Sequence, residues 1–234
     1  MTPSVPYVDL VFCYPGGQLT SNWEMMLSGL IEQARVKKMS FAKSNGVGAY
    51  IHDVRNLCLK MMGKKDDCKR TQKPFGGNLK YGHLVWLDTD NFLTWDGLMR
   101  LISHDKDIMA GWYKAAPPGG YRVDGDNITC SGFFDYPNTA FVNPLTASEI
   151  EAHEEPFKVD FSGFGCIVIK YGVFESMLYP WFSYKQIEFI DEDGDECSSH
   201  EGEDVYWCME AKRLGYEVWV DPKVRVPHYK KLMV

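Results

Sequence analysis

The sequence predicts an α/β protein: one domain built on a central, mostly parallel sheet flanked by helices, with an antiparallel C-terminal portion. Three observations lead there. Residues 7–113 alternate short apolar runs rich in β-formers with apolar stripes at helical spacing. Strand and helix alternating in that order imply parallel neighbours joined by crossover helices. Beyond residue 115, prolines, glycines and aromatics become denser and the pattern turns to alternation, which suits antiparallel strands. No repeat and no linker divides the 234 residues, so a single domain is expected.

Residues 7–12 (YVDLVF) read as the first strand, ended by Pro15-Gly16-Gly17. Ser21 and Glu24 make a capping box, followed by Trp23, Met26, Leu27, Leu30, Ile31 and Ala34 at helical spacing. A second strand is expected over 39–42, then a helical stripe of Val54, Leu57, Cys58, Met61 and Met62 that stops at Gly63. The basic, glycine-bearing stretch 64–80 reads as a surface loop. Residues 83–87 form a buried strand running straight into Asp88-Thr89-Asp90. Leu98, Leu101 and Ile102 suggest a helix, and 107–113 a further strand. A β-meander is expected over 115–143, a glycine-interrupted strand over 157–170, and a helix over 205–214 stopped by Gly215. Two short strands, 217–220 and 224–227, close the chain.

Composition excludes several classes. A chain that is 45% hydrophobic has enough apolar material for a core and is not disordered. A net charge of −7 speaks against a nucleic-acid binder, which needs a basic face to displace counterions. It does not speak against phosphate-bearing small molecules held through a metal that bridges them to carboxylates. No apolar stretch is long enough for a membrane span, and MTPSVPYVDL lacks the basic-then-apolar pattern of a signal peptide, so a soluble cytoplasmic protein is expected. The seven cysteines include no C-x-x-C pair, so neither a zinc ribbon nor a disulfide framework is implied.

Three groups of residues carry the chemistry. A buried strand ending in Asp88-Thr89-Asp90 places carboxylates at the carboxyl edge of the sheet, where open α/β sheets bind ligands. Alternate residues face the same way, so Asp88 and Asp90 can share a divalent metal and its diphosphate. The alternative role for either is to cap the helix that begins near Thr94. Glu203 and Asp204 open the last helix, where acidic residues complement the dipole or, if poised, act as a general base. His228 follows the final strand, where it either makes an ordinary polar contact or completes a carboxylate metal site. DEDGDE at 191–196 is not an EF-hand, because its glycine is fourth rather than sixth. Neither a P-loop nor a G-x-G-x-x-G fingerprint occurs.

Four stretches together resemble the GT-A-fold glycosyltransferases, in particular the family-2-like ones: Asp88-Thr89-Asp90 with its helix and 104–111; 160–166 running on to Phe174; Gly202-Glu203-Asp204 with 215–222; and 224–228. The likeness spans roughly residues 5–230. It implies a Rossmann-like nucleotide-binding half at about 5–114 and an acceptor-binding half at about 115–230.

The resemblance also implies roles. Pro15, Gly16, Arg55, Asn56, Asp88, Thr89, Asp90, Gly163 and Gly165 would line the nucleotide-sugar site. Asp90, His228 and Asp88 would hold Mn2+ or Mg2+, with Asp90 the direct ligand. Asp204, with Glu203 beside it, would supply the base of an inverting enzyme. Trp181 and Phe182 can be a sugar-stacking platform for the acceptor or simply core aromatics, and Arg55 can contact nucleotide or be a surface charge.

The implied activity is metal-dependent transfer of one sugar from a nucleotide-diphosphate sugar, UDP-sugar favoured, to an acceptor hydroxyl on a glycan, lipid, protein or modified base. The Gln-x-x-Arg-Trp motif of processive synthases does not occur, so single-sugar transfer is the expectation. Two alternatives stand beside it. One is a nucleotidyltransferase, although the turn Tyr14-Pro15-Gly16-Gly17 lacks the basic loop such enzymes carry. The other is a non-catalytic protein that binds carbohydrate or nucleotide sugar.

Overall fold

Leu10 and Phe12 of strand β1 (Tyr7–Pro15) pack into one hydrophobic cluster and Val11 and Cys13 into another, all of them buried. A strand apolar on both parities belongs to a sheet covered on both faces. The structure, a computed structural model, describes residues 4–17, 19–60, 69–115, 127–134, 142–190 and 194–229.

After β1 come α1 (Ser21–Val36), β2 (Phe41–Gly46), α2 (Ile51–Leu59), a 3-10 turn at Pro74–Gly77, β3 (Lys80–Leu87), α3 (Trp95–Ser103) and β4 (Ile108–Trp112). The second half adds β5 (Ile128–Phe134), β6 (Val142–Thr146), α4 (Ala147–Glu151), β7 (Phe157–Val159), β8 (Phe161–Ser162) and β9 (Cys166–Lys170). It finishes with α5 (Val173–Ser176), β10 (Lys185–Ile190), β11 (Glu196–Glu201), α6 (Glu203–Arg213) and β12 (Val218–Arg225).

Seven strands form the main sheet in the order β2-β1-β3-β9-β4-β12-β7. Five of them run one way, while β9 and β7 run against their neighbours. The sheet is therefore mostly parallel, and helices flank it: α1 and α3 bury Trp23, Leu27, Leu98 and Leu101 on one face, and α2 and α6 bury Cys58, Leu59, Trp207 and Cys208 on the other. A second antiparallel sheet, β6-β5-β8, and the hairpin β10-β11 make up much of the second half. No helix among the described residues is long and apolar enough to cross a membrane.

Several expected boundaries move for local reasons. The cap of α1 is Thr20 rather than Ser21, its hydroxyl accepting from the Trp23 amide at 3.3 Å. Strand β2 begins at Phe41; ahead of it the Asp9 carboxylate accepts from both the amide and the hydroxyl of Ser40 at 2.6 Å, in place of a regular ladder bond. Helix α2 ends at Leu59, where Lys60 turns extended, short of the expected Met61, Met62 and Gly63, which lie outside the described residues. Much of the loop 64–80 and of the meander 115–143 also lies outside them, but Phe75 within the loop is buried against Tyr81, so that stretch is not all surface.

The two last strands are one. β12 pairs with β4 in parallel and bulges between Val220 and Arg225, around Pro222, whose missing N–H interrupts the ladder. Trp112 Nε1 donates to the Pro222 carbonyl at 2.8 Å and closes the gap. The acidic stretch 191–196 belongs to the β10–β11 hairpin, with Glu196 opening β11 and residues 191–193 outside the described set.

Candidate functional site at the carboxyl edge of the sheet

The strand order changes direction at β1, with β2 added on one side and β3 on the other. In open α/β sheets such a point opens a crevice beyond the carboxyl ends of the strands. Gly16 leaves β1 there with φ +123°, a backbone that side chains rarely adopt. A Cβ on it would stand 3.4 Å from Thr89 Oγ1, so the turns after β1 and β3 touch. Pro15 ends β1, and Asn45 near the end of β2 secures the turn by donating to the carbonyls of Tyr14 and Gly16 at 2.6 and 2.9 Å.

The Asp88–Asp90 turn is fixed from below. The Asp88 carbonyl accepts from Trp23 Nε1 and from the Asn91 amide, both at 3.0 Å, and its amide donates to the Gly165 carbonyl at 3.2 Å. Neither carboxylate caps α3; Thr94 does, accepting from the Gly97 amide at 3.1 Å. The segment after β12 then lies along this turn. Phe92 donates to the Pro227 carbonyl, Asn91 and His228 form an isolated antiparallel bridge, and Tyr229 donates to the Asp90 carbonyl at 2.7 Å. That ladder brings His228 Nε2 to 3.2 Å from Asp90 Oδ2, while His228 Nδ1 stands 2.9 Å from the Lys114 carbonyl. A carbonyl can only accept, so Nδ1 carries the proton and Nε2 faces the carboxylate.

This pair fits a divalent cation. Cis donors on an octahedral ion with bonds of about 2.1 Å lie about 3.0 Å apart, close to the observed separation. The ring is also oriented as ligating histidines are, through its second nitrogen and a carbonyl. Asp88, the third residue expected at the metal, faces away from this pair. Its two oxygens face Arg55, Oδ1 at 3.1 Å from Nη1 and Oδ2 at 3.2 Å from Nη2. Among the described residues no group of three or more His, Cys, Asp or Glu side chains is placed to hold a metal together.

Arg55, on α2, is 3% exposed, which excludes a surface charge. Besides Asp88 it donates through Nε to Glu203 Oε1 at 3.0 Å, and its guanidinium lies 5.4 Å over the Phe164 ring. Burial works against its charge, but Asp88, Glu203 and Asp204 outweigh that and hold it firmly protonated. One cation thus faces three carboxylates. Glu203 is buried and engaged by Arg55, whereas Asp204 Oδ1 accepts only locally, from the Val205 amide at 2.8 Å. Burial first and the Glu203 charge second push the Asp204 carboxyl up to about 6.

Five expected residues do something else. Asn56 does not face the crevice: its side chain donates to the Phe182 carbonyl at 2.7 Å and accepts from the Phe182 amide at 3.1 Å. Trp181 and Phe182 are 2% and 0% exposed, packed with Trp86, Phe164, Phe174 and Trp207, so no ring face is free for a sugar. Gly163 and Gly165 make room for Tyr113 rather than for donor: a Cβ would meet the Tyr113 hydroxyl oxygen at 2.4 Å on the first and Tyr113 Cε1 at 2.7 Å on the second.

Tyr113 itself, whose ring lies 5.0 Å from that of His228, is a site residue the sequence reading missed. Its position one residue past β4, at the same edge as Asp88 past β3, was the available signal. Asn91, buried beside Asp90, was missed as well.

No protein-family model and no curated protein matches the sequence. Among solved structures, the crystal structure of A197 from STIV aligns with a TM-score of 0.47 and 14% identity over 97% of this chain and 96% of that one. The crystal structure of GalNAc-T7 with UDP, GalNAc and Mn2+ aligns with a TM-score of 0.47 and 12% identity. That alignment covers 97% of this chain and 45% of GalNAc-T7.

Proposed function

We propose that the protein is a metal-dependent glycosyltransferase that moves one sugar from a nucleotide-diphosphate sugar, UDP-sugar favoured, to an acceptor hydroxyl with inversion. The observation that carries this reading is the Asp90–His228 pair, 3.2 Å apart at the crevice between β1 and β3, beside a cluster with more carboxylates than cations. An uncompensated diphosphate is repelled by such a cluster, whereas a diphosphate carrying a divalent cation is attracted.

In this reading Asp90 and His228 Nε2 hold Mn2+ or Mg2+, which when bound supplies Lewis-acid stabilisation of the departing diphosphate. Pro15, Gly16 and Thr89 line the nucleotide, and Asp88 acts through Arg55 as a positioning residue. Arg55 fixes Glu203 and keeps a positive charge beside Asp204. The base is Asp204, since Glu203 is engaged. A carboxyl raised to about 6 is ionised above neutral pH yet basic enough to draw the proton from an attacking hydroxyl. Most of the donor site comes from about 5–114 and much of the acceptor site from about 115–230, within one domain.

The test is a thermal-shift screen of UDP-, GDP-, CDP- and dTDP-sugars, each with and without manganese. Ligand that binds only the folded state raises the melting temperature by mass action. The expected result is a shift that needs both one nucleotide sugar and the metal. Absence of any shift across the set overturns the reading.

A further inference from the structure

The carboxylate cluster has an aromatic margin. Tyr50 and Tyr184 are 65% and 48% exposed, and His52 lies between them, its ring centroid 5.9 Å from Tyr50 and 4.7 Å from Tyr184. Large aromatic rings gathered at the surface beside titratable groups call for an explanation, because isolated exposure is ordinary but a contiguous set is not.

Both sides of this margin are anchored to the site. Tyr50 is the N-cap of α2, and His52 sits one turn before Arg55 on that helix. Tyr184 follows Phe182, whose backbone is clamped by Asn56. It directly precedes Lys185, the register partner of Glu201, so it stands level with Gly202 and next to Glu203 and Asp204. The Tyr184 hydroxyl feels this position: burial first, then the Glu203 and Asp204 charges, raise it above its ordinary value.

We propose that Tyr50, His52 and Tyr184 form the shelf on which the acceptor stacks, and that this acceptor is a carbohydrate. A pyranose ring carries an apolar C–H face and a rim of hydroxyls. The exposed rings of Tyr50 and Tyr184, held by His52 between them, match the first, and their two phenol hydroxyls match the second. A lipid chain calls for an apolar groove, which three polar-tipped rings do not supply. The inference rests on the transferase reading for the word acceptor and stands without it for the binding of sugar.

Saturation-transfer NMR with irradiation of the aromatic protons tests it, using methyl glucoside, methyl galactoside, methyl N-acetylglucosaminide and uridine as probes. Wild type is expected to saturate ring C–H protons of at least one glycoside. Tyr184→Ala is expected to lower that signal at least fivefold while leaving the manganese-dependent shift by nucleotide sugar intact. Tyr50→Ala serves as a second exposed variant with the same expectation.

No glycoside signal in wild type, or one unchanged in both variants, overturns the shelf. Uridine signal lost in Tyr184→Ala without any glycoside signal also overturns it and assigns the rings to the nucleobase. Glycoside signal that depends on Tyr184, with no response to any nucleotide sugar, supports the shelf and removes the transferase reading.

Discussion

Arg55 Nε donates to Glu203 Oε1 at 3.0 Å, joining the middle of α2 to the first turn of α6 inside the protein. Three carboxylates lean on this one guanidinium, so its removal leaves buried charge with no partner. Arg55→Met is expected to cost about 3 kcal/mol in urea unfolding. Arg55→Lys is expected to recover less than half of that, since an ammonium lacks the fork that spans Asp88 and Glu203. A neutral Arg55→Met would mean that the cluster relaxes by taking up protons.

Asp204 gives stability a pH dependence of known sign. Its carboxyl lies at about 6 in the fold against an ordinary 3.8, so the folded state holds that proton more tightly than the unfolded state. Its contribution is intact below 3.8 and is lost as pH rises towards 6. Asp204→Asn carries no such loss. The variant is expected to gain on wild type between about pH 4 and 6, by up to about 3 kcal/mol, and to hold that gain at pH 7.5. The midpoint belongs to the Glu203–Asp204–Arg55 group rather than to Asp204 alone. Equal pH profiles for the two proteins would remove the shift.

Metal affinity separates the two aspartates. Asp90→Ala and His228→Ala are each expected to weaken Mn2+ binding at least tenfold, read by the electron paramagnetic resonance of free Mn2+ in the presence of UDP. Asp88→Asn is expected to change it less than threefold, because Asp88 faces Arg55. An Asp88 effect as large as that of Asp90 would return Asp88 to the metal.

Gly165→Ala places a methyl 2.5 Å from Asn91 Nδ2 and 2.7 Å from the Tyr113 ring, both buried. Overpacking of this kind is expected to cost about 2 kcal/mol. Tyr113→Ala in the same chain is expected to relieve most of that loss, so the double variant costs less than the sum of the two single ones, a coupling that a double-mutant cycle in urea measures. Additive losses would show that the two do not compete for space.

Much of the first half was legible in the sequence because its signals are local. Apolar runs of β-formers and helical stripes placed β1, α1, β3, α3 and β4 within a few residues, and a strand running into Asp88 announced the sheet edge. What local pattern lacks is the identity of the partner across the fold. Asn56 reads like a pocket residue until Phe182 is seen to occupy it. Trp181 and Phe182 read like a platform, since aromatic residues look alike in sequence whether they face water or one another. The bulge in β12 hid a single strand as two, and the shelf residue Tyr184 stood two positions from the ones selected.

The contact between Asp90 and His228 spans 138 positions of the chain and depends on a short ladder at residues 226–229. Contacts of such separation incur their loop-closure entropy before they return any energy. The β1–β2–β3 frame can form from nearer partners, with its crevice already shaped. In the proposed reading, ligand competence is therefore acquired late in folding: a chain already collapsed, with a native-like sheet, still lacks the His228 half of this pair until the last strand has docked.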